Sequence, residues 1–198
     1  MNTPQRLDLP DGDVDFFASF FDPESADRLF HELLTTITWR QDSLALFGKA
    51  VALPRLTAWY GDAGTAYTYS GILNSPLPWT TTLLEVKQAI ESIAGVVFNS
   101  VLLNRYRTGQ DSIGWHSDDE PEFGENPVIA SVSFGSPRTF QFRHRSRKAL
   151  RASIELTHGS LLMMRGSTQH HWRHQIPKTA KPVGERINLT FRVVRPRP

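Results

Sequence analysis

No cysteine occurs among the 198 residues, which excludes disulfides and thiolate metal sites. No apolar run approaches the roughly 20 residues that a membrane-spanning helix needs, so a membrane partner is not expected. Neither sign of charge dominates. With 22 Lys and Arg against 20 Asp and Glu, the formal net charge is +2, too small by itself to point to nucleic acid. The opening stretch MNTPQRLDLPDGDVDFF puts acidic residues ahead of any apolar segment, unlike the basic-then-apolar order of a secretory signal. Internal repeats and low-complexity linkers are also missing, which favours one domain. At 39% hydrophobic and 21% charged, the chain reads as a soluble globular protein with a real core. We expect a cytoplasmic monomer, or a nuclear one if the source is eukaryotic.

What is present divides in two. Residues 1–15 read as a loose arm and residues 16–198 as a single domain, with a helical and hairpin extension over 16–97 and a β-rich core over 98–195. In DPESADRLFHELLTTI, Asp22 caps a helix, Pro23 takes its first position, and Ala26, Leu29, Phe30, Leu33, Leu34 and Ile37 form one apolar stripe. A second helix is predicted from Thr81 to Ala94, with Leu83, Val86, Ile90 and Ile93 inward and Gly95 as its stop. LFGK at 46–49 and YGDAG at 60–64 read as hairpin turns. From Phe98 onward, FNSVLLNRY, VIASVSFG, RTFQFRH, ASIELTHGSLLMM and RINLTFRVV read as strands. Helices followed by many strands give an α+β chain with a sandwich or jelly-roll core.

Several residues carry chemistry. His116 and Asp118 in GWHSDDE share one face of an extended segment and suit adjacent positions around a metal. A further histidine would complete a 2-His-1-carboxylate triad, which leaves positions on Fe(II) open. Three histidines fall within QHHWRH; if that stretch is extended, His170 and His174 share a face and His171 does not, which leaves two candidates. Along RINLTFR, Arg186, Asn188, Thr190 and Arg192 alternate with Ile187, Leu189, Phe191 and Val193. That pattern fits the wall of a polar cavity in which an arginine fork grips a dicarboxylate. Asn104 and Tyr106 in LLNRY add hydrogen-bond donors on one face. FRHRSRKALR carries Arg143, Arg145, Arg147, Lys148 and Arg151, which suit either a solvated hairpin tip or phosphate contacts.

In their order, NRYRTGQDSIGWHSDDE, ASVSFGSPRTFQFRH, HGSLLMM, HWRHQIP and RINLTFR resemble the AlkB family of Fe(II)- and 2-oxoglutarate-dependent dealkylases. The likeness runs from about Phe47 to Val194. Through LFGK, YGDAG, YTYSG and LLMM the chain looks nearest to the vertebrate type that prefers duplex DNA. The resemblance implies a double-stranded β-helix with a base-recognition hairpin extension, and the cofactors Fe(II), 2-oxoglutarate and O2. It matches His116, Asp118 and His174 to the iron ligands, His174 standing twelve residues before Arg186. It matches Arg192 to the residue that pairs with the distal carboxylate of 2-oxoglutarate, with Asn104, Tyr106, Arg186 and Asn188 around it. The implied reaction hydroxylates an N-alkyl group of 1-methyladenine or 3-methylcytosine type in single- or double-stranded DNA and releases an aldehyde. Such a base must be extruded from a duplex first. Phe47 matches the wedge that fills the vacated stack and Tyr69 the aromatic that sandwiches the base; Asp119 and Glu120 would favour a cationic base. PKTAKPVGE holds only Lys178 and Lys181, which leaves strand preference open. Rival readings keep the chemistry on RNA or protein, or make the chain a non-catalytic module that binds damaged DNA. A zinc hydrolase is weaker, since an arginine-bearing strand has no part in activating water.

Overall fold

The computed structural model describes residues 3–46, 49–65, 67–69, 72–74 and 76–195. Helix α1 (Pro23–Thr36) starts where Asp22 accepts the Ser25 N–H at 2.9 Å, and it buries Ala26, Leu29 and Leu33. Helix α2 (Thr81–Ala94) is capped by the Thr80 hydroxyl and stopped by Gly95 in the left-handed region at φ 71°. Its inward face carries Thr82, Leu83, Val86, Ile90 and Ala94, whereas Ile93 is exposed on the flank. A single turn, α3, covers Thr168–His171.

Among the described residues there are fifteen strands, in chain order β1 (Gln5–Arg6), β2 (Asp13–Phe17), β3 (Ser43–Leu46), β4 (Lys49–Ala52), β5 (Leu56–Gly61), β6 (Tyr67–Tyr69), β7 (Ile72–Asn74), β8 (Ser100–Tyr106), β9 (Ile113–His116), β10 (Ile129–Gly135), β11 (Arg138–His144), β12 (Arg151–Leu156), β13 (Ser160–Arg165), β14 (Trp172–Ile176) and β15 (Arg186–Arg192). A seven-stranded sheet has the order β1-β2-β13-β10-β15-β8-β5, and a four-stranded sheet the order β12-β11-β14-β9. Strands β8 to β15 contribute four members to each sheet, which makes the core a double-stranded β-helix. The pairs β3–β4 and β6–β7 stand apart as two ribbons.

The large sheet is buried on both faces, which explains why strands such as SLLMMR read as unbroken apolar runs. Leu161 and Met163 face the layer made with α1 and α2, together with Ala130, Val132, Leu189 and Phe191. Leu162 and Met164 face the other way, into the space between the sheets, with Phe140, Phe142, Trp172 and Ile176. Alternation along one strand therefore serves two cores.

Residues 3–15 differ from the loose arm expected. Strand β2 pairs with β13 from Leu161↔Phe17 to Arg165↔Asp13, and Val14 and Phe16 are buried. The Trp172 indole N–H donates to the Pro10 carbonyl at 2.9 Å. The apolar signal in DVDFF spans only two inward side chains, too short to stand out in the sequence. YGDAG also differs: it turns the chain, with the Thr65 N–H bonded to the Asp62 carbonyl, but β5 pairs with β8 and β6 with β7, so it closes no hairpin.

Asp111, at the turn between β8 and β9, is buried and accepts from the Arg107 backbone N–H at 2.9 Å and from its guanidinium at 2.7 and 3.0 Å. Burial works to raise this carboxyl, but the Arg107 bonds outweigh it and hold it below its ordinary value. The stability this adds is complete above the ordinary carboxylate range and is lost as pH falls through the depressed folded value. Asp111→Asn should therefore lower the melting temperature at neutral pH and lessen the fall in stability between about pH 5 and pH 3. Thermal unfolding across pH checks this, and unchanged acid sensitivity would count against it.

Candidate metal centre and active site

The site lies between the sheets. Strands β9 and β14 pair so that His116 stands directly across from His174, with a register irregularity between His174 and Ile176. Cross-strand neighbours have Cβ atoms only about 5 Å apart, so the pairing brings the two imidazoles together. Their ring centroids are 4.3 Å apart. Asp118 lies two residues past the end of β9 and turns its carboxylate into the same space. One ligand atom from each of His116, Asp118 and His174 lies within 4.8 Å of the others.

The protonation states suit a metal. The His116 Nδ1 lies 2.8 Å from the Gly114 carbonyl, which places the proton on Nδ1 and leaves Nε2 free to ligate. Burial, with the adjacent His116, pushes the His174 imidazole down to about 3, so it stays neutral at physiological pH. Burial alone would raise the Asp118 carboxyl, but the charge of the Arg192 guanidinium holds it below its ordinary value. Two imidazoles and one carboxylate, with no thiolate, form the facial set that suits Fe(II). Around them, Phe140 stacks on His174 with centroids 5.1 Å apart, and the Gln169 side-chain carbonyl accepts the Asp118 N–H at 3.0 Å.

Among the described residues a second group of possible ligands, Asp11, His144 and His171, also converges. Its hydrogen bonding argues against a metal. The His144 Nδ1 accepts the N–H groups of Ser146 and Arg147 at 3.3 and 3.1 Å, and its Nε2 lies between Asp11 and the Arg147 guanidinium, at 3.4 and 3.2 Å. Arg147 also pairs with Asp11 and supplies the local positive charge. His171 stacks on His144, and His170 is bonded to the Glu125 carbonyl. QHHWRH is thus helical through His171 and extended only from Trp172, so the alternation assumed for His170 does not apply.

A cavity of about 470 Å³ opens from the group His116, Asp118 and His174, large enough for a small organic acid and a base together. Asn104 and Tyr106 of β8 line it beside Arg186, Asn188, Thr190 and Arg192 of β15, while the alternate residues of β15 enter the helix-side core. Arg192 donates to Asp118 at 2.7 Å. That bond puts Arg192 at the metal end rather than at the distal end the sequence reading gave it. Arg186 begins the same strand, roughly 20 Å away along the backbone at about 3.3 Å per residue. It is buried, lies over the Tyr106 ring at 5.0 Å, and gives one N–H to Ser133 at 2.9 Å. Its Nε and Nη1 are buried without a hydrogen-bond partner. Burial lowers its pKa to about 10, which leaves it charged at neutral pH. A buried guanidinium with open donors and no carboxylate partner fits an anionic ligand.

Glu120 reaches the cavity, with Oε2 buried and unpartnered, and burial raises its carboxyl above the ordinary value, with the Asp118 charge adding to the effect. Asp119 is turned to Arg145 instead and does not line the cavity. Phe47 and the side chain of Tyr69 lie outside the described residues. Sequence reasoning missed Arg55, which donates to Asn104 at 2.6 Å, and Gln169. It also missed Ser131 and Ser133, although their alternation with Val132 and Phe134 marked a polar face.

Jelly roll, facial triad and orphaned arginine together define a non-haem iron oxygenase that uses an acidic cosubstrate. The model of the 2OG-Fe(II) oxygenase superfamily matches residues 13–192. The chain is 43% identical over 190 residues to DNA oxidative demethylase ALKBH2 of Bos taurus, covering 91% of this chain and 68% of that protein. The human ALKBH2 is 42% identical over 188 residues, covering 90% and 72%. Human alpha-ketoglutarate-dependent dioxygenase alkB homolog 3 is 42% identical over 194 residues, covering 93% and 67%. A solved structure described as "The structure of OsALKBH1" shares the fold, with a TM-score of 0.64 at 16% identity over 95% of this chain and 100% of that one. The chain belongs to the AlkB family of 2OG-Fe(II) oxygenases. It is a dioxygenase that requires Fe(II), 2-oxoglutarate and O2.

Gln169 orients a ligand through the backbone, and loss of such support typically costs 10–100-fold in metal affinity. Gln169→Leu should weaken Fe(II) or Co(II) binding on the order of tenfold. Metal titration by calorimetry measures this, and wild-type affinity in a folded variant would remove Gln169 from that role.

Proposed function

We propose that this chain is an oxidative demethylase of N-alkylated bases in DNA, of the 1-methyladenine and 3-methylcytosine type. The observation that carries the reading is the sharing of one cavity by the metal triad, the open-donor Arg186 and the unpartnered Glu120 carboxylate. His116, Asp118 and His174 hold the iron. Arg186, stacked on Tyr106, receives the far carboxylate of 2-oxoglutarate, and Asn104 and Asn188 support it. Arg192 steadies Asp118 and neutralises charge at the metal end. Iron, when bound, supplies the chemistry that couples decarboxylation of 2-oxoglutarate to hydroxylation of the N-alkyl carbon, with aldehyde release. Glu120 offers an acceptor and negative charge to a base made cationic by alkylation, and Asn188 and Thr190 keep the β15 side of the cavity polar. A base reaches the cavity only after leaving the stack. The relatives named as DNA oxidative demethylases support DNA as the substrate.

Oligonucleotides carrying 1-methyladenine should release formaldehyde and succinate in step, only with Fe(II), 2-oxoglutarate and O2. Arg186→Gln should raise the KM for 2-oxoglutarate on the order of 30–100-fold, the size of a lost charge-assisted contact. Matched DNA and RNA substrates under one salt condition separate the classes, because phosphate binding depends on salt. Turnover of RNA alone would move the substrate to RNA, and succinate without aldehyde from either would sink the demethylase reading.

A further inference from the structure

The outer face of the four-stranded sheet carries a feature that the site does not use. Arg143 of β11 is the register partner of Arg151 on β12 and also of Arg173 on β14. Three arginines therefore stand side by side across three adjacent strands and point to one face, spanning roughly 10 Å at the usual strand spacing. Arg151 and Arg173 are exposed and Arg143 is half-buried. Like charges directly opposite one another destabilise a sheet, so such a row needs a counter-charge.

The protein does not provide one. Among the described residues no carboxylate pairs with Arg143, Arg151 or Arg173, although two neighbours are neutralised, Arg145 by Asp119 and Arg147 by Asp11. On this face of the sheet strands the acidic residue is Glu155, opposite Thr139 and four residues along from Arg151. Arg143 instead leans across β14 to lie 4.4 Å from the centroid of the Trp115 ring. Trp115 precedes the ligand His116 and forms part of the cavity wall, so the row begins at the rim of the site.

We propose that Arg143, Arg151 and Arg173, with Trp115, form a track for the phosphodiester backbone of the nucleic-acid strand that delivers its base to the cavity. The assignment rests on the demethylase reading for the nature of that strand. Successive phosphates supply the missing counter-charge, and the Trp115 indole, already flattened against Arg143, offers a stacking surface to a base beside the extruded one. The row spans a few phosphates of one strand. The repulsion it stores in the free protein is relieved when the strand binds.

The test is binding of the full chain to unmodified single-stranded and duplex oligonucleotides of one sequence, read by fluorescence anisotropy across salt. The variant combines Arg143→Gln, Arg151→Gln and Arg173→Gln. It should bind single strands roughly tenfold or more weakly at low salt, and its log–log salt slope should fall by about 2, at roughly 0.7 per lost phosphate contact. Its melting temperature should be unchanged or raised, because like-charge neighbours are removed. Arg147→Gln, which removes a cation already paired to Asp11, should leave the slope unchanged. An unaltered slope in the triple variant overturns the proposal, as does a loss confined to duplex, which would assign the row to the opposite strand. Wild-type binding to phosphatidylserine vesicles without oligonucleotide binding also overturns it. No turnover enters the measurement, so it reads the arginine row even if demethylation fails. Demethylation without dependence on the row would leave the proposed function standing.

Discussion

The bond from Arg192 to Asp118 is the contact on which the rest of the site depends. It joins β15 of the large sheet to the carboxylate just past β9 of the small one, at 2.7 Å and with both side chains buried. A buried ion pair is weak evidence of stability, because desolvating two charges offsets most of their attraction. Its value here is position. It keeps Asp118 ionised, aims one carboxylate oxygen away from the two imidazoles, and leaves the other facing His174 at 3.9 Å. The small sheet brings the histidine pair together through register, and the large sheet fixes Asp118 beside them through charge.

Cationic charge is left over elsewhere. Arg186 is buried with open donors. Arg138, also buried, is satisfied by the carbonyls of Asp111 and Pro177 at 2.9 and 2.7 Å rather than by a carboxylate. A buried cation with open donors, as Arg186 is, costs stability in the free protein and recovers it when an anion binds. The outer arginines follow the same logic at the surface. In both places the fold holds charge of one sign ready for a partner of the other.

Much of this was legible in the sequence where a short-range rule applied. Asp22, Pro23 and Gly95 set helix ends by local chemistry, and they act as read. The alternation in RINLTFR predicted a polar wall backed by an apolar face, because a strand has only two sides. Where several elements compete, the local rules gave less. Val14 and Phe16 looked too slight to anchor a strand, yet β13 and Trp172 were waiting for them. His170 has the spacing of a ligand only on an extended segment, and the single helical turn Thr168–His171 gives it another direction. Asp119 stands beside Asp118 in the sequence, but Arg145, 26 residues on, draws it to the surface.

By itself the sequence determined which residue types were available and how each segment alternates: no thiolate, His116 and Asp118 two apart, four polar side chains on one face of the last strand, and motifs ordered as in one enzyme family. Those properties depend on neighbours a few residues away, and backbone geometry alone fixes them. Only the tertiary structure decided that His116 meets His174, that Arg192 serves the metal end while Arg186 is left with free donors, and that three arginines from separate strands form one row. Each of these depends on strand register, which is set by the packing of two cores at once and is written in no single segment.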